Sequence, residues 1–307
     1  MKIEYEDLSK NDWFLITWDL SNKCNYRCSY CPSEIHDGSS GWPSIDDVRF
    51  FVKTISEKLP GKKICFRISG GEPTYWKYFI DFAESVKKEN HYFSFITNGS
   101  RGFDYFKKIS DFTDGVIISY HPEYSDKDHF VEISKALTCP VAVNLMMVPD
   151  QFSFLVDVAK YLYDNSNMAI WPKLLLDKTT DKFITNTVID YTKEQKEFLK
   201  KWPYFRNLDD SKIHRGNILY NGKEITANDI FLNGLNRYKG WKCWAGIDMI
   251  NIDFWGNIYR ANCEQGGSLG KITDFQLPTE TIICDKSLCS CLSDIYLRKE
   301  FSKPESI

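Results

Sequence analysis

The sequence predicts an α/β fold, a parallel sheet in an open or partial barrel, followed by a small segment built around a β-hairpin. Three observations carry this. Short apolar runs alternate with amphipathic helical stretches through the first 176 residues. Those runs are apolar on both faces, the mark of parallel strands covered by helices. About six βα units can be counted, too few to close an eight-fold barrel but enough for a partial one with its site at the strand C-termini.

The elements follow in order. Residues 14–19 (FLITWD) read as the first strand, and 45–59 as an amphipathic helix with Ser44 as its N-cap. A second strand is expected at 64–69, followed by a helix around 76–88. Further strands are expected at 92–97, 115–120, 141–148 and 168–176, with helical segments near 104–110, 127–137 and 151–164. The pattern then breaks: 177–240 is polar and lysine-rich, with one helix near 192–200 and several turn signals. Residues 246–263 read as a hairpin turning at Trp255-Gly256-Asn257. The expected organisation is a barrel over 1–180, a connecting segment that shapes a substrate pocket over 181–240, and a small C-terminal unit over 241–307.

Bulk properties exclude several classes. The net charge is −3 and no lysine or arginine block stands out, which argues against a broad electrostatic footprint for nucleic acid. No apolar run approaches the ~20 residues that cross a bilayer, and the first residues lack the apolar core of a signal peptide. The expected location is the cytoplasm, where thiols stay reduced. There, ten cysteines read as metal ligands or catalytic groups before disulfides.

Three of them, Cys24, Cys28 and Cys31, crowd into SNKCNYRCSYCPSE (21–34), directly after the first strand. Structural zinc prefers four closed ligands, whereas three thiolates on a cubane iron–sulfur cluster leave one iron without a protein ligand. An open position is what a reactive metal site needs. Five more cysteines lie near the C-terminus: Cys243 before the hairpin, Cys263 after it, then Cys284, Cys289 and Cys291. Zinc and a second iron–sulfur centre both remain open there. Cys65 and Cys139 read as buried apolar thiols, His121 before Pro122 as a turn residue, and His36 and Asp37 as solvated loop residues.

The C-x3-C-x2-C segment resembles the signature loop of the radical S-adenosylmethionine (radical SAM) superfamily, placed after the first strand of a partial (β/α)6 barrel. Further motifs fall at successive strand ends. SGGEP (69–73) resembles the Gly-Gly-Glu motif, so Gly70, Gly71 and Glu72 are expected to hold the SAM ammonium. Tyr30 is the aromatic before the third cysteine that packs on adenine in this family, and TNG (97–99) places Asn98 near the ribose. Ser119 of SYHPE and Asn144 of the fifth strand are expected as further contacts to SAM. The C-terminal cysteines resemble a twitch or SPASM-like auxiliary-cluster extension, closer to the shorter twitch form. Four of Cys243, Cys263, Cys284, Cys289 and Cys291 would hold a second [4Fe–4S] cluster, although the spacing after Gly256 departs from the longer pattern.

The resemblance implies an enzyme that cleaves SAM reductively to a 5′-deoxyadenosyl radical, with a [4Fe–4S] cluster and SAM as cofactors and flavodoxin or ferredoxin as reductant. Only 13 residues precede the first strand, so no built-in peptide-docking domain is expected. The substrate expected is a small molecule: a sugar, aminocyclitol or nucleotide-linked metabolite. A net oxidation assisted by the auxiliary cluster is one outcome. Peptide maturation with a separate recognition protein and nucleobase modification are the alternatives within the class. A non-enzymatic iron–sulfur or zinc scaffold is the alternative outside it, and leaves the Gly-Gly-Glu strand end unexplained.

Overall fold

A computed structural model describes residues 3–7, 12–175, 191–206, 217–289 and 291–301. After a short strand β1 (Ile3–Tyr5), six strands run parallel and side by side: β2 (Trp13–Asp19), β3 (Lys63–Ser69), β4 (Tyr92–Thr97), β5 (Gly115–Tyr120), β6 (Val141–Met146) and β7 (Ala169–Lys173). Each coincides with an expected strand. The ends of β6 and β7 fall short of the expectation, and residue 176 lies outside the described residues. Helices α1 (Ile45–Lys58), α2 (Phe79–Lys88), α3 (Phe103–Ser110), α4 (Lys127–Ser134) and α5 (Phe152–Asn165) connect the strands. Ser44 caps α1 by accepting the Asp46 amide, as its position suggested. The second helix starts later than expected because Pro73–Tyr75 forms a 3₁₀ turn capped by Glu72.

One face of the sheet buries the core. Phe14, Ile16 and Trp18 of β2 and Ile64, Phe66 and Ile68 of β3 pack with Phe51 and Ile55 of α1 and Phe82 and Val86 of α2. Trp18 stands edge-on to Phe51 at 5.5 Å and to Phe82 at 5.3 Å. Each such side chain contributes about 1.5–3 kcal/mol by leaving water.

The opposite face corrects the expectation of strands apolar on both sides. Strand register places Thr17, Arg67 and Ser94 in one row, Asp19 and Ser69 in the next, and Ser119 beside Asn144. Helices cover only one side of a partial barrel, so the inner side keeps polar groups.

The C-terminal half adds to the same sheet. Helix α6 (Lys193–Lys200) precedes β8 (Ile218–Tyr220), β9 (Lys223–Ile225), α7 (Ala227–Leu232) and β10 (Lys242–Cys243). The expected hairpin is β11 (Met249–Ile252) and β12 (Asn257–Tyr259). Its turn is set by Gly256 at φ +75° and by Asp253, whose carboxylate accepts the Trp255 and Asn257 amides. Strand β11 pairs parallel with β2, opposing Asn251 to Thr17. With β13 (Ser268–Lys271) and β14 (Asp274–Phe275), it brings the described sheet to ten strands. A separate three-stranded sheet holds β10 between β15 (Ile282–Ile283) and β16 (Lys299–Glu300), with α8 (Leu292–Ile295) just before β16.

Candidate functional site

The cysteine loop continues the pairing of β2 with β3 beyond the strand ends. Leu20 N–H donates to Ser69 O at 2.8 Å, Gly71 N–H to Ser21 O at 2.7 Å and Glu72 N–H to Lys23 O at 2.7 Å. This close approach explains the two glycines. A Cβ on Gly70, at φ +128°, would lie 2.5 Å from Ser21 O, and one on Gly71 would lie 2.3 Å from Lys23 O. What excludes a side chain at both positions is the backbone of the cysteine loop.

Asn22, fully buried, pins the loop further. Its amide nitrogen reaches Glu34 O, Asp37 Oδ1 and Ser39 Oγ, and its Oδ1 accepts from the Ser40 amide and hydroxyl. Asp37 is an exposed loop residue, as the sequence suggested, and its carboxylate also anchors the loop through Asn22 and the Ser39 amide. Within the loop, Cys31 N–H donates to Cys28 O at 3.1 Å. Cys28 is buried while Cys24 and Cys31 are half-buried. Burial pushes the Cys24 and Cys28 thiols up, Cys28 to about 11, so a bound metal has to displace their protons.

Glu72 is fully buried beneath this loop. Its Oε1 accepts from the Thr74 amide and hydroxyl and from the Thr97 hydroxyl, and its Oε2 accepts the Asn98 amide at 2.6 Å. Burial pushes the carboxyl up, and these donors oppose the shift. Asn98 in turn donates to Asn25 Oδ1 at 2.8 Å and lies 3.9 Å from Cys24 Sγ. Ser119 and Asn144 are register partners on β5 and β6. Tyr30 meets His121: its hydroxyl lies 2.7 Å from His121 Nδ1, which is also 3.4 Å from Cys28 Sγ. His121 is the turn residue the sequence suggested, since its carbonyl accepts the Tyr124 and Ser125 amides, and it also touches the cysteine loop.

Asp19 was missed because it ends an apolar run. It accepts the Ser69 hydroxyl at 2.5 Å on the inner face, and burial, with the nearby Asp253 charge, pushes its carboxyl up.

The C-terminal cysteines separate into four and one. Cys243, Cys263, Cys284 and Cys289 line one cavity together with Gln265, Asp294 and Lys299. Cys291 is not among the residues that line it and instead occupies the N-cap position of α8. Among the described residues no three His, Cys, Asp or Glu side chains converge as they would around a single metal ion; the four thiols stand around a shared space. Lys299 opposes Cys243 in the β10–β16 register. Its buried ammonium donates to Leu297 O at 2.9 Å and Asp294 O at 2.5 Å, and lies 4.9 Å from the Tyr238 ring. Burial pushes Cys263 up to about 12 and Cys289 well above the ordinary range. Four thiols around a buried ammonium suit an anionic, thiolate-ligated centre, because the cation offsets the charge of the ligands.

Polar contacts tie the second cysteine site to the inner face of β2. Asn251 donates to Thr17 Oγ1 at 3.0 Å and to Asn262 Oδ1 at 3.3 Å, and the Asn262 and Cys263 amides donate to the Asp294 carboxylate at 3.3 and 3.1 Å. The parallel pairing of β11 with β2 creates this link.

Comparison with known proteins follows the same residues. Residues 18–141 match the family model of the Radical SAM superfamily. The probable GTP 3′,8-cyclase of Methanocaldococcus jannaschii is 38% identical over 82 residues, 26% of this chain and 26% of the relative. The GTP 3′,8-cyclase of Pasteurella multocida is 29% identical over 83 residues, 26% of this chain and 24% of the relative. This chain thus spans about a quarter of the length of these curated relatives. Among solved structures, native anSMEcpe with bound AdoMet superposes with a TM-score of 0.54 at 18% identity, covering 86% of this chain and 78% of that one. That likeness extends the shared fold beyond the matched family segment.

Proposed function

We propose that this enzyme belongs to the radical SAM superfamily, whose family model matches residues 18–141, and that it cleaves SAM reductively and takes a hydrogen atom from a small-molecule substrate. The [4Fe–4S] cluster and SAM together supply the chemistry, an electron that breaks the sulfonium and releases a 5′-deoxyadenosyl radical. Cys24, Cys28 and Cys31 would hold the cluster, leaving one iron for the amino acid moiety of SAM. The backbone of Gly70–Glu72, with Asn98, Ser119, Asn144 and the Tyr30 ring, would hold SAM itself. The Glu72 carboxylate already accepts four hydrogen bonds, so its part is to fix the strand ends.

The observation that carries this reading is the three-thiol loop fastened to a Gly-Gly-Glu strand end by three backbone hydrogen bonds. A structural metal site gains nothing from such a three-ligand set at the C-terminal end of a parallel sheet, where open α/β folds bind ligands.

The second cavity supports a twitch-like auxiliary [4Fe–4S] centre held by Cys243, Cys263, Cys284 and Cys289, with Cys291 outside the ligand set. A fully ligated centre cannot bind SAM and is suited to accept or relay an electron, while Asp19 on the inner face is placed to take a proton. The partial relatives named as GTP 3′,8-cyclases support a nucleotide-linked substrate. A flavodoxin or ferredoxin would supply the electron.

The test is anaerobic reconstitution followed by iron counting and an assay for 5′-deoxyadenosine under dithionite. The reading expects about eight irons per chain, four per centre, and 5′-deoxyadenosine that depends on SAM. Zinc in place of iron, or iron without SAM cleavage, contradicts it.

A further inference from the structure

The cysteine loop is held from one side by the turn that follows β5. Glu123 accepts the Ser29 amide at 3.0 Å and its hydroxyl at 2.5 Å. Tyr124 stacks on Tyr26 with centroids 4.5 Å apart, and Tyr26 stands edge-on to His121 at 5.9 Å. The His121 ring runs nearly parallel to the Tyr30 ring, at 9°, and its own amide is fixed to Ser125 Oγ at 2.9 Å. Three neighbouring residues of one turn thus grip Tyr26, Ser29 and Tyr30, and the grip closes on Cys28.

We propose that His121 and Tyr30 form a hydrogen-bond chain onto Cys28 that raises the reduction potential of the first cluster. The inference rests on the reading that Cys28 ligates that cluster. The Tyr30 hydroxyl lies 2.7 Å from His121 Nδ1, and the same nitrogen lies 3.4 Å from Cys28 Sγ. A thiolate ligand accepts and cannot donate, so in the loaded protein the groups facing Cys28 must present hydrogens. The arrangement allows this without moving an element: the Tyr30 hydroxyl is a side-chain hydrogen-bond neighbour of Cys28 and donates to its sulfur, while His121 carries its proton on Nδ1 and donates it to the Tyr30 oxygen. Donors on a ligating sulfur favour the more negatively charged, reduced cluster and so raise its potential. Both residues are positioning residues, since they act through Cys28.

The Tyr30 hydroxyl and ring thereby have separable tasks. The resemblance gives the ring to adenine, and the geometry gives the hydroxyl to the cluster. Tyr30→Phe keeps the ring and removes only the hydroxyl.

The experiment is a redox titration of the reconstituted full chain followed by electron paramagnetic resonance, with the first centre identified by its response to added SAM. In Tyr30→Phe the reduced-to-oxidised ratio at a fixed potential is expected to fall three- to tenfold, about 30–60 mV for a one-electron couple. Iron content should stay at the wild-type level, so that the shift is read on a fully loaded first centre. His121→Ala should shift the potential in the same direction, with His121→Gln keeping part of the wild-type value through its remaining donor. A loaded Tyr30→Phe protein with the wild-type potential overturns the hydrogen-bond chain and leaves the cluster assignment standing. A wild-type chain that takes up no iron at Cys24, Cys28 and Cys31 overturns both.

Discussion

Glu72 accepts the backbone amide of Asn98 at 2.6 Å, and through that bond the end of β3 fixes the end of β4 beside Cys24. The partner oxygen of the same carboxylate takes three donors from Thr74 and Thr97. Only a carboxylate can accept on both oxygens. In Glu72→Gln an NH₂ replaces one acceptor and faces a buried N–H. A loss of about 1–3 kcal/mol is expected, measured by denaturant unfolding of the metal-free chain beside wild type, together with weaker SAM binding after reconstitution. Unchanged stability would show that the carboxylate is not committed to these donors.

Gly71 tests whether the strand end truly seats the cysteine loop. A Cβ there would sit 2.3 Å from Lys23 O, so the loop must lift. Gly71→Ala should lose the first centre and keep the second, taking the iron count from about eight to about four. Gly102→Ala, where a Cβ meets nothing within 4 Å and φ is −78°, is the control, with full iron. Full iron in both variants would remove the steric account of the motif.

The choice of four C-terminal ligands can be checked one cysteine at a time. Cys289→Ser and Cys263→Ser should each abolish the second centre, read as loss of its iron and of its spectral signal. Cys291→Ser should retain both, because Cys291 is not among the residues lining the shared cavity. The opposite pattern, with Cys291 essential and Cys289 dispensable, would redraw the site.

His91 supplies a pH dependence separate from the metal chemistry. It is 7% exposed, its Nδ1 accepts the Ile64 amide, and its ring contacts Ser56 Oγ at 2.7 Å. Burial, with Lys63 nearby, pushes it down to about 4. The unfolded chain binds its proton near pH 6.5, so the stability tied to the neutral ring is complete above that pH and is lost as pH falls towards 4. The shift corresponds to about 3 kcal/mol across this window. Urea midpoints of the metal-free chain between pH 7 and 4 should fall less steeply in His91→Gln than in wild type. Parallel slopes would contradict the assignment.

Much of the barrel was legible because its signals are local. Each parallel strand is an apolar run, and Ser44 announces α1 from the position before it. The pairing of β11 with β2 was not legible: Asn251 and Thr17 are 234 residues apart, and no local pattern encodes their contact. Nor were strands of two residues such as β10 and β16, which exist only through their neighbours. At the site, the residue types were visible and their partners were not. Glu72 stood out by motif, yet its four donors lie on two different strand ends. Cysteine spacing left five candidates, and only the folded cavity separates Cys291 from the other four.

The central claim is that three thiols leave an iron open to SAM, and one measurement addresses it directly: 5′-deoxyadenosine formed per chain under dithionite in wild type, Cys28→Ala and Cys263→Ser. The account predicts SAM cleavage in wild type, none in Cys28→Ala, and retained cleavage in Cys263→Ser, whose first centre is intact. Cleavage that survives in Cys28→Ala, or is absent from iron-loaded wild type, would contradict it.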